Sequence, residues 1–217
     1  MSISLTEQLG DLCRQSTLQQ YEKGEVIVRT DSTPPGIFLI KEGYVKVYAL
    51  TEGGDENLHI VYGPEALFPL TWAITGKLPR QIFYRAIDDV TVFRINQEDF
   101  RKFLKDHPEA NEVVLQKVVE MFGAYADRVE NLEQTRSRNR VVYRLLRLGE
   151  TFGEVCPEGI LIKVPVKHHD IANSINCSRE TVSRELEVLR KKGLIASQDH
   201  FFIITDREGL ERELLQS

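Results

Sequence analysis

Cysteine is scarce in this 217-residue chain, and its three residues, Cys13, Cys156 and Cys177, are far apart, odd in number and without a C-x-x-C spacing. That pattern argues against a disulfide framework and a structural zinc site, so no metal is expected and a reducing cytoplasm is the natural home. Long hydrophobic runs are missing as well, which leaves no room for a membrane span. Residues 1–12 include Glu7 and Asp11 and no basic, apolar-cored leader, so nothing reads as a secretory signal. There is no Ser/His/Asp triad, no phosphate-cradling glycine loop and no pair of catalytic acids, and no enzyme is expected. Nothing in the chain names a cofactor. An excess of basic charge is also lacking: 28 Lys+Arg stand against 33 Asp+Glu, a net charge of -5. Over the whole chain that balance argues against a nucleic-acid partner.

What is present is enough for two modest domains, at ordinary globular levels of glycine, proline and aromatics. From Tyr21 to Ile95 short β-branched or aromatic runs recur: Val26–Val28, Ile37–Ile40, Tyr44–Tyr48, Leu58–Tyr62, Gln81–Ala86 and Val90–Ile95. Turn signals separate them, with Gly24, Gly43 and Gly53-Gly54 able to take positive φ and Thr33-Pro34-Pro35-Gly36 fit only for a loop. Many short strands so spaced predict a sandwich, barrel or jelly roll.

Asn96 is a plausible N-cap for a short helix with Phe100, Phe103 and Leu104 on one face, stopped at His107-Pro108. A long helix follows from Glu109 to about Asn131. Its apolar residues Leu115, Val118, Phe122, Tyr125, Val129 and Leu132 recur at intervals of three and four, the seam of a coiled coil, and a homodimer is expected through it. Packing on the chain's own β domain is the competing use of that face.

Beyond Thr135 the composition changes. Arg136, Arg138, Arg140, Arg144 and Arg147 alternate with Val141, Val142, Leu145, Leu146 and Leu148, an apolar helical face expected to end at Gly149. Ile160–Val164 reads as a strand broken by Pro165. Two helices, Lys167–Ile175 and Ser178–Lys192, are joined by Asn176-Cys177, and Leu194–Ile204 has the pattern of a β-hairpin turning at Gln198-Asp199-His200. Ile171, Ala172 and Ile175 on the first helix face Val182, Leu186 and Leu189 on the second, a helix-turn-helix. Asn176 suits a left-handed turn position and Ser178 an N-cap. Arg179, Glu180, Ser183, Arg184 and Glu187 remain on the outward face. There Arg offers paired donors to guanine and Glu accepts from cytosine. A solvated charge run, with Arg184 paired to Glu180, is the plainer reading of the same residues.

The stretch Cys177-Ser178-Arg179-Glu180-Thr181-Val182-Ser183-Arg184 resembles the recognition-helix motif of the cyclic-AMP receptor protein and fumarate-nitrate reduction regulator family. Tyr21–Ile27 and Ile37–Val47 are similar to the opening strands of that family's cyclic-nucleotide-binding-type domain. The resemblance implies an α+β fold: an N-terminal β-roll (a cyclic-nucleotide-binding-like jelly roll) over residues 1–108, a dimerisation helix and hinge over 109–135, and a C-terminal winged helix-turn-helix over 136–217. It implies a bacterial homodimeric transcription regulator whose affinity for DNA is controlled by a signal or small molecule, with RNA polymerase as a further partner. Residue by residue, Arg179, Glu180 and Arg184 match base-reading positions and imply TGTGA-like palindromic half-sites. Thr181 and Ser183 match phosphate-side positions, with Lys167, His168 and His169 as further phosphate candidates.

For an effector, the resemblance points to a Gly-Glu pair and an Arg followed by Ser or Thr. Here the corresponding stretches read Gly63-Pro64-Glu65 and Arg80-Gln81, so Glu65, Arg80, Gln81 and Tyr125 are the effector candidates of a degraded cyclic-AMP motif. The competing class is a small-molecule or protein-interaction module with a vestigial winged helix, against which the intact Arg179, Glu180 and Arg184 speak. The charge balance also resolves by segment: residues 135–196 hold twelve Lys+Arg against seven Asp+Glu, so the acidic total belongs to the remainder.

Overall fold

The computed structural model describes residues 5–29, 31–78 and 81–215. The chain divides into two units, residues 1–125 and 126–217. The first begins with helices α1 (Leu5–Gln8) and α2 (Gly10–Gln15). Strands β1 (Thr17–Tyr21), β2 (Val26–Val28), β3 (Ile37–Glu42), β4 (Val45–Leu50), β5 (Glu56–Tyr62) and β6 (Leu67–Phe68) follow. Then come α3 (Leu70–Thr75), β7 (Ile82–Ala86), β8 (Val90–Ile95), α4 (Gln97–Asp106) and the long α5 (Pro108–Glu133), which continues into the second unit.

Two antiparallel sheets, ordered β1-β8-β3-β6 and β2-β7-β4-β5, make the β-roll. The unbroken apolar run in β3 is the sign of a strand buried on both faces. Phe38 and Ile40 point into a core shared with Val45, Val47, Ile60, Phe68, Tyr84 and Val92. Ile37 and Leu39 point the other way, under Leu9, Leu12, Trp72, Phe100 and Val114 from the helices. All four are fully buried. Gly43, at φ 86°, makes the turn into β4, and a Cβ there would lie 2.4 Å from the Asp89 carbonyl. Asn96 caps α4, its side chain accepting from the Glu98 N–H at 2.7 Å.

The second unit contains α6 (Ser137–Phe152), β9 (Gly153–Cys156), β10 (Gly159–Ile162), α7 (His168–Ser174), α8 (Arg179–Lys191), β11 (Ile195–Gln198), β12 (Phe201–Ile204) and α9 (Arg207–Leu215). Its sheet runs β11-β12-β10-β9. The hairpin between β11 and β12 turns on Asp199 (φ 48°) and His200 (φ 72°), two left-handed residues whose twist matches the flanking strands. One expectation is corrected here: α6 does not end at Gly149 but runs through it. The missing side chain serves packing, because a Cβ on Gly149 would lie 2.7 Å from Ile204 Cδ1.

The seam on α5 is corrected in part. Leu115 (61% exposed), Phe122 (73%) and Val129 (58%) do lie open, but the lane completing them is Val119 (61%) and exposed Ala126. Val118 and Tyr125 face the other way, against the cores of the β-roll, and Leu132 is half-buried.

Candidate functional site

The helix-turn-helix is built from the inside outward. Ile171, Ala172 and Ile175 of α7 and Val182, Leu186 and Leu189 of α8 are all buried. Asn176 takes φ 51°, and the Cys177 N–H donates to the Ala172 carbonyl at 3.1 Å, closing the turn. Ser178 Oγ accepts from the Thr181 N–H at 3.1 Å and donates to Thr181 Oγ1 at 3.0 Å. At the start of α7 the Asp170 carboxylate accepts the Lys167 N–H at 2.9 Å and lies 3.2 Å from His169 Nε2.

With these faces committed, Arg179, Glu180 and Arg184 are exposed together on the first turns of α8. The Arg184–Glu180 pair of the plainer reading does not form; Arg184 lies 3.6 Å from Glu185 instead, with its side chain 69% exposed. Lys167 and His169 are exposed and Thr181 half-exposed beside them. His168 and Ser183 are engaged with each other, His168 Nδ1 lying 2.8 Å from Ser183 Oγ, and the imidazole stacks on Phe202 at 6.0 Å. Burial, then Arg190 and Arg179, hold the His168 pKa below the usual histidine value, so the ring is neutral near pH 7. It braces α7 to α8.

Several arginines that the sequence presents only as positive charge are structural. Arg138 donates to Glu185 at 2.9 Å and lies 3.8 Å from Glu213, which also accepts from Lys192 at 2.6 Å. This network of buried carboxylates fixes the back of α8 to α6 and α9. Arg140 donates from Nε to the Gln134 carbonyl at 2.7 Å and from Nη1 to the Ile175 carbonyl at 3.3 Å, joining the end of α5 to the helix-turn-helix. Long side chains making such contacts leave no periodic trace in sequence.

Of the four effector candidates, Glu65, Gln81 and Tyr125 fall among the described residues, and each has a setting of its own. Glu65 lies in a left-handed turn (φ 66°), and its carboxylate accepts the Thr6 N–H at 2.8 Å and the Thr6 hydroxyl at 2.6 Å. Its backbone N–H donates to the Ile40 carbonyl at 2.9 Å, so Glu65 fastens α1 to the β-roll. Gln81 is an exposed turn residue (φ 62°), and Arg80 lies outside the described residues. Tyr125 packs over the β-roll core with His59 at its edge, ring centroids 6.0 Å apart. Beneath it the interior is filled by rings: Phe68 stacks on Phe38 at 5.3 Å, on Tyr84 at 5.1 Å and on Tyr62 at 6.1 Å. Burial pushes the Tyr62 and Tyr84 hydroxyls well above the usual phenol range. Burial and the nearby Glu65 push the Cys13 thiol up to about 11, which makes it inert. No group of three or more metal-ligating side chains occurs among the described residues, nor any helix long and apolar enough to cross a membrane.

A β-roll followed by a long helix and a winged helix-turn-helix with a free, charged recognition face defines a DNA-binding transcription regulator with a sensor-type domain. Residues 18–107 match the cyclic nucleotide-binding domain model and residues 139–213 the Crp-like helix-turn-helix domain model, and the chain belongs to the CRP/FNR family. It is 28% identical over 195 residues to the global nitrogen regulator of Synechococcus elongatus, covering 89% of this chain and 88% of that protein. It is 24% identical to the CRP-like cAMP-activated global transcriptional regulator of Mycobacterium tuberculosis, covering 94% and 91%. Among solved structures, a CooA mutant from Carboxydothermus hydrogenoformans superposes with a TM-score of 0.80 at 19% identity, covering 99% of this chain and 97% of that one. FixK2 of Bradyrhizobium japonicum does so at 0.78 and 19%, covering 91% and 96%. These relatives are regulators, not enzymes.

Proposed function

We propose that this regulator works as a homodimer and reads a palindromic operator of TGTGA-like half-sites with Arg179, Glu180 and Arg184. The observation that carries the reading is the division of α8 into a buried face, Val182, Leu186 and Leu189, and an exposed face bearing those three side chains at the helix start. Lys167, His169 and Thr181 flank them as phosphate contacts, while His168 and Ser183 set the angle between the helices. The second copy docks along the exposed stripe of α5. Residues 1–108 form the sensor, 109–135 the dimer helix and 136–217 the DNA-binding domain. Bound beside a promoter, the dimer acts on RNA polymerase.

The regulatory input reaches the β-roll, where the cyclic-AMP motif is degraded at Pro64 and Gln81. Glu65 is spent on Thr6, Pro64 has no N–H to offer, and aromatic rings occupy the interior.

The base-reading assignment is tested by fluorescence anisotropy at fixed salt on a TGTGA-type palindrome. Each well-placed Arg–guanine pair is worth about 1–3 kcal/mol, so Arg179→Ala and Arg184→Ala are each expected to weaken specific binding by roughly ten- to a hundredfold, with non-specific binding little changed. Unchanged specific affinity in the double variant would sink the assignment.

A further inference from the structure

Unpartnered buried polar atoms gather at one elbow of the second unit. Asn131 Oδ1, Arg144 Nε and Arg147 Nε are sealed from water and without a hydrogen bond among the described residues, and all three lie where α5 meets α6. Three rungs fix the register there. Arg147 pairs with Asp127, the Tyr143 hydroxyl donates to Glu130 at 2.9 Å, and Arg140 Nε donates to the Gln134 carbonyl at 2.7 Å. Stepping along these antiparallel rungs puts Arg144 level with residues 128–131.

The acids nearby are already used. Asp127 and Glu150 are taken by Arg147, and Glu130 by Tyr143. Arg144 itself makes no ion pair or hydrogen bond among the described residues. Its surroundings are hostile to charge: burial first, then the neighbouring Arg128, pull the guanidinium down to about 10. A guanidinium at that value still keeps its proton at neutral pH, and a half-buried charge whose Nε is closed off from water and has no counter-ion is costly. Asn131, 4% exposed and with its Oδ1 unpaired, adds an amide whose oxygen and nitrogen ends are interchangeable by rotation, so it can offer a donor at the same elbow.

We propose that this elbow is a binding site for a small oxyanion, the phosphate or carboxylate group of a metabolite, gripped by Arg144 with Arg128 and the Asn131 amide beside it. The planar fork of a guanidinium matches either group, and the anion supplies the counter-charge that the protein withholds. The site is separate from the filled interior of the β-roll and from the exposed face of α8. It lies one helical turn from Arg140, whose second hydrogen bond reaches Ile175 at the helix-turn-helix, so occupancy stiffens the link between the end of α5 and the reading head.

The test uses the full-length protein at constant ionic strength, titrated with inorganic phosphate in one arm and succinate in the other. Thermal melting and the Nε–H resonances of ¹⁵N-arginine report binding. At least one arm is expected to give a saturable rise in Tm and to move the Arg144 Nε–H signal, and the stronger arm identifies the oxyanion. Arg144→Met is expected to lose the response and Arg144→Lys, which keeps the charge without the fork, to bind about tenfold more weakly. Arg179→Ala, on the DNA-reading face, is expected to respond as the native chain does. The absence of a saturable response in both arms, or an undiminished response in the folded Arg144 variants, overturns the site.

Discussion

His168 stands at the entrance of the helix-turn-helix with Ser183 2.8 Å away and Phe202 stacked on its ring. Folding lowers its pKa, by burial first and then by Arg190 and Arg179. Between the lowered folded value and the ordinary unfolded one, the unfolded chain binds more protons, so stability rises with pH across that interval and falls on acidification. Thermal melting from pH 7.5 down to 5 is expected to show a loss that begins near the ordinary histidine value of about 6.5, and His168→Gln is expected to remove that part of the loss. A pH profile the same with and without the imidazole refutes this. Single residues with local backbone consequences were the ones legible in sequence. Asn176 takes the left-handed turn that its short side chain tolerates, and Ser178 and Asn96 cap the helices they precede. Glu65 was not legible, because its partner Thr6 is remote in sequence and the same carboxylate serves a ligand or a helix equally well.

The helix α5 shows what periodicity decides and what it leaves open. Intervals of three and four fix a helix and an apolar side, but Leu115, Phe122 and Val129 belong equally to a lane through Val118 and Tyr125 and to one through Val119 and Ala126. Only tertiary packing assigns Val118 and Tyr125 to the β-roll and leaves Val119 and Ala126 uncovered together with Leu115, Phe122 and Val129. The same ambiguity hid β6, whose two residues are too few for a pattern, and let α6 pass Gly149, where a contact with Ile204 rather than helix termination explains the glycine. The uncovered lane carries a direct expectation. Phe122→Glu places a charge at the most exposed apolar position of the stripe and is expected to give a monomer by sedimentation velocity, with the Tm of the β-roll held within a few degrees. Persistence of a dimer in that variant refutes docking along this lane. Val118, against the β-roll, tests the other side: Val118→Ala is expected to lower stability while leaving the dimer intact.

At the scale of the whole molecule, opposite charges are allotted to different stretches of chain. The net charge of -5 conceals a stretch of residues 135–196 with twelve basic and seven acidic side chains, and several of those basic groups are tied into ion pairs rather than offered to DNA. On the proposed reading, the electrostatic part of DNA binding falls to the exposed cations near α8, Lys167 among them, and to Arg179 and Arg184. These two groups separate by their response to salt. Each phosphate neutralised releases counter-ions and adds about -0.9 to the slope of log affinity against log salt. Lys167→Ala is expected to weaken binding to specific and unrelated duplexes alike and to make the slope shallower by about one. Arg184→Ala is expected to cost specific binding far more than its effect on the slope would account for. Equal slopes for the native chain and Lys167→Ala would remove Lys167 from the phosphate contacts. The buried carboxylates Glu185 and Glu213 give the reason the exposed set is so small: by holding Arg138 and Lys192 behind α8 they take from the reading head two charges that a composition count assigns to it.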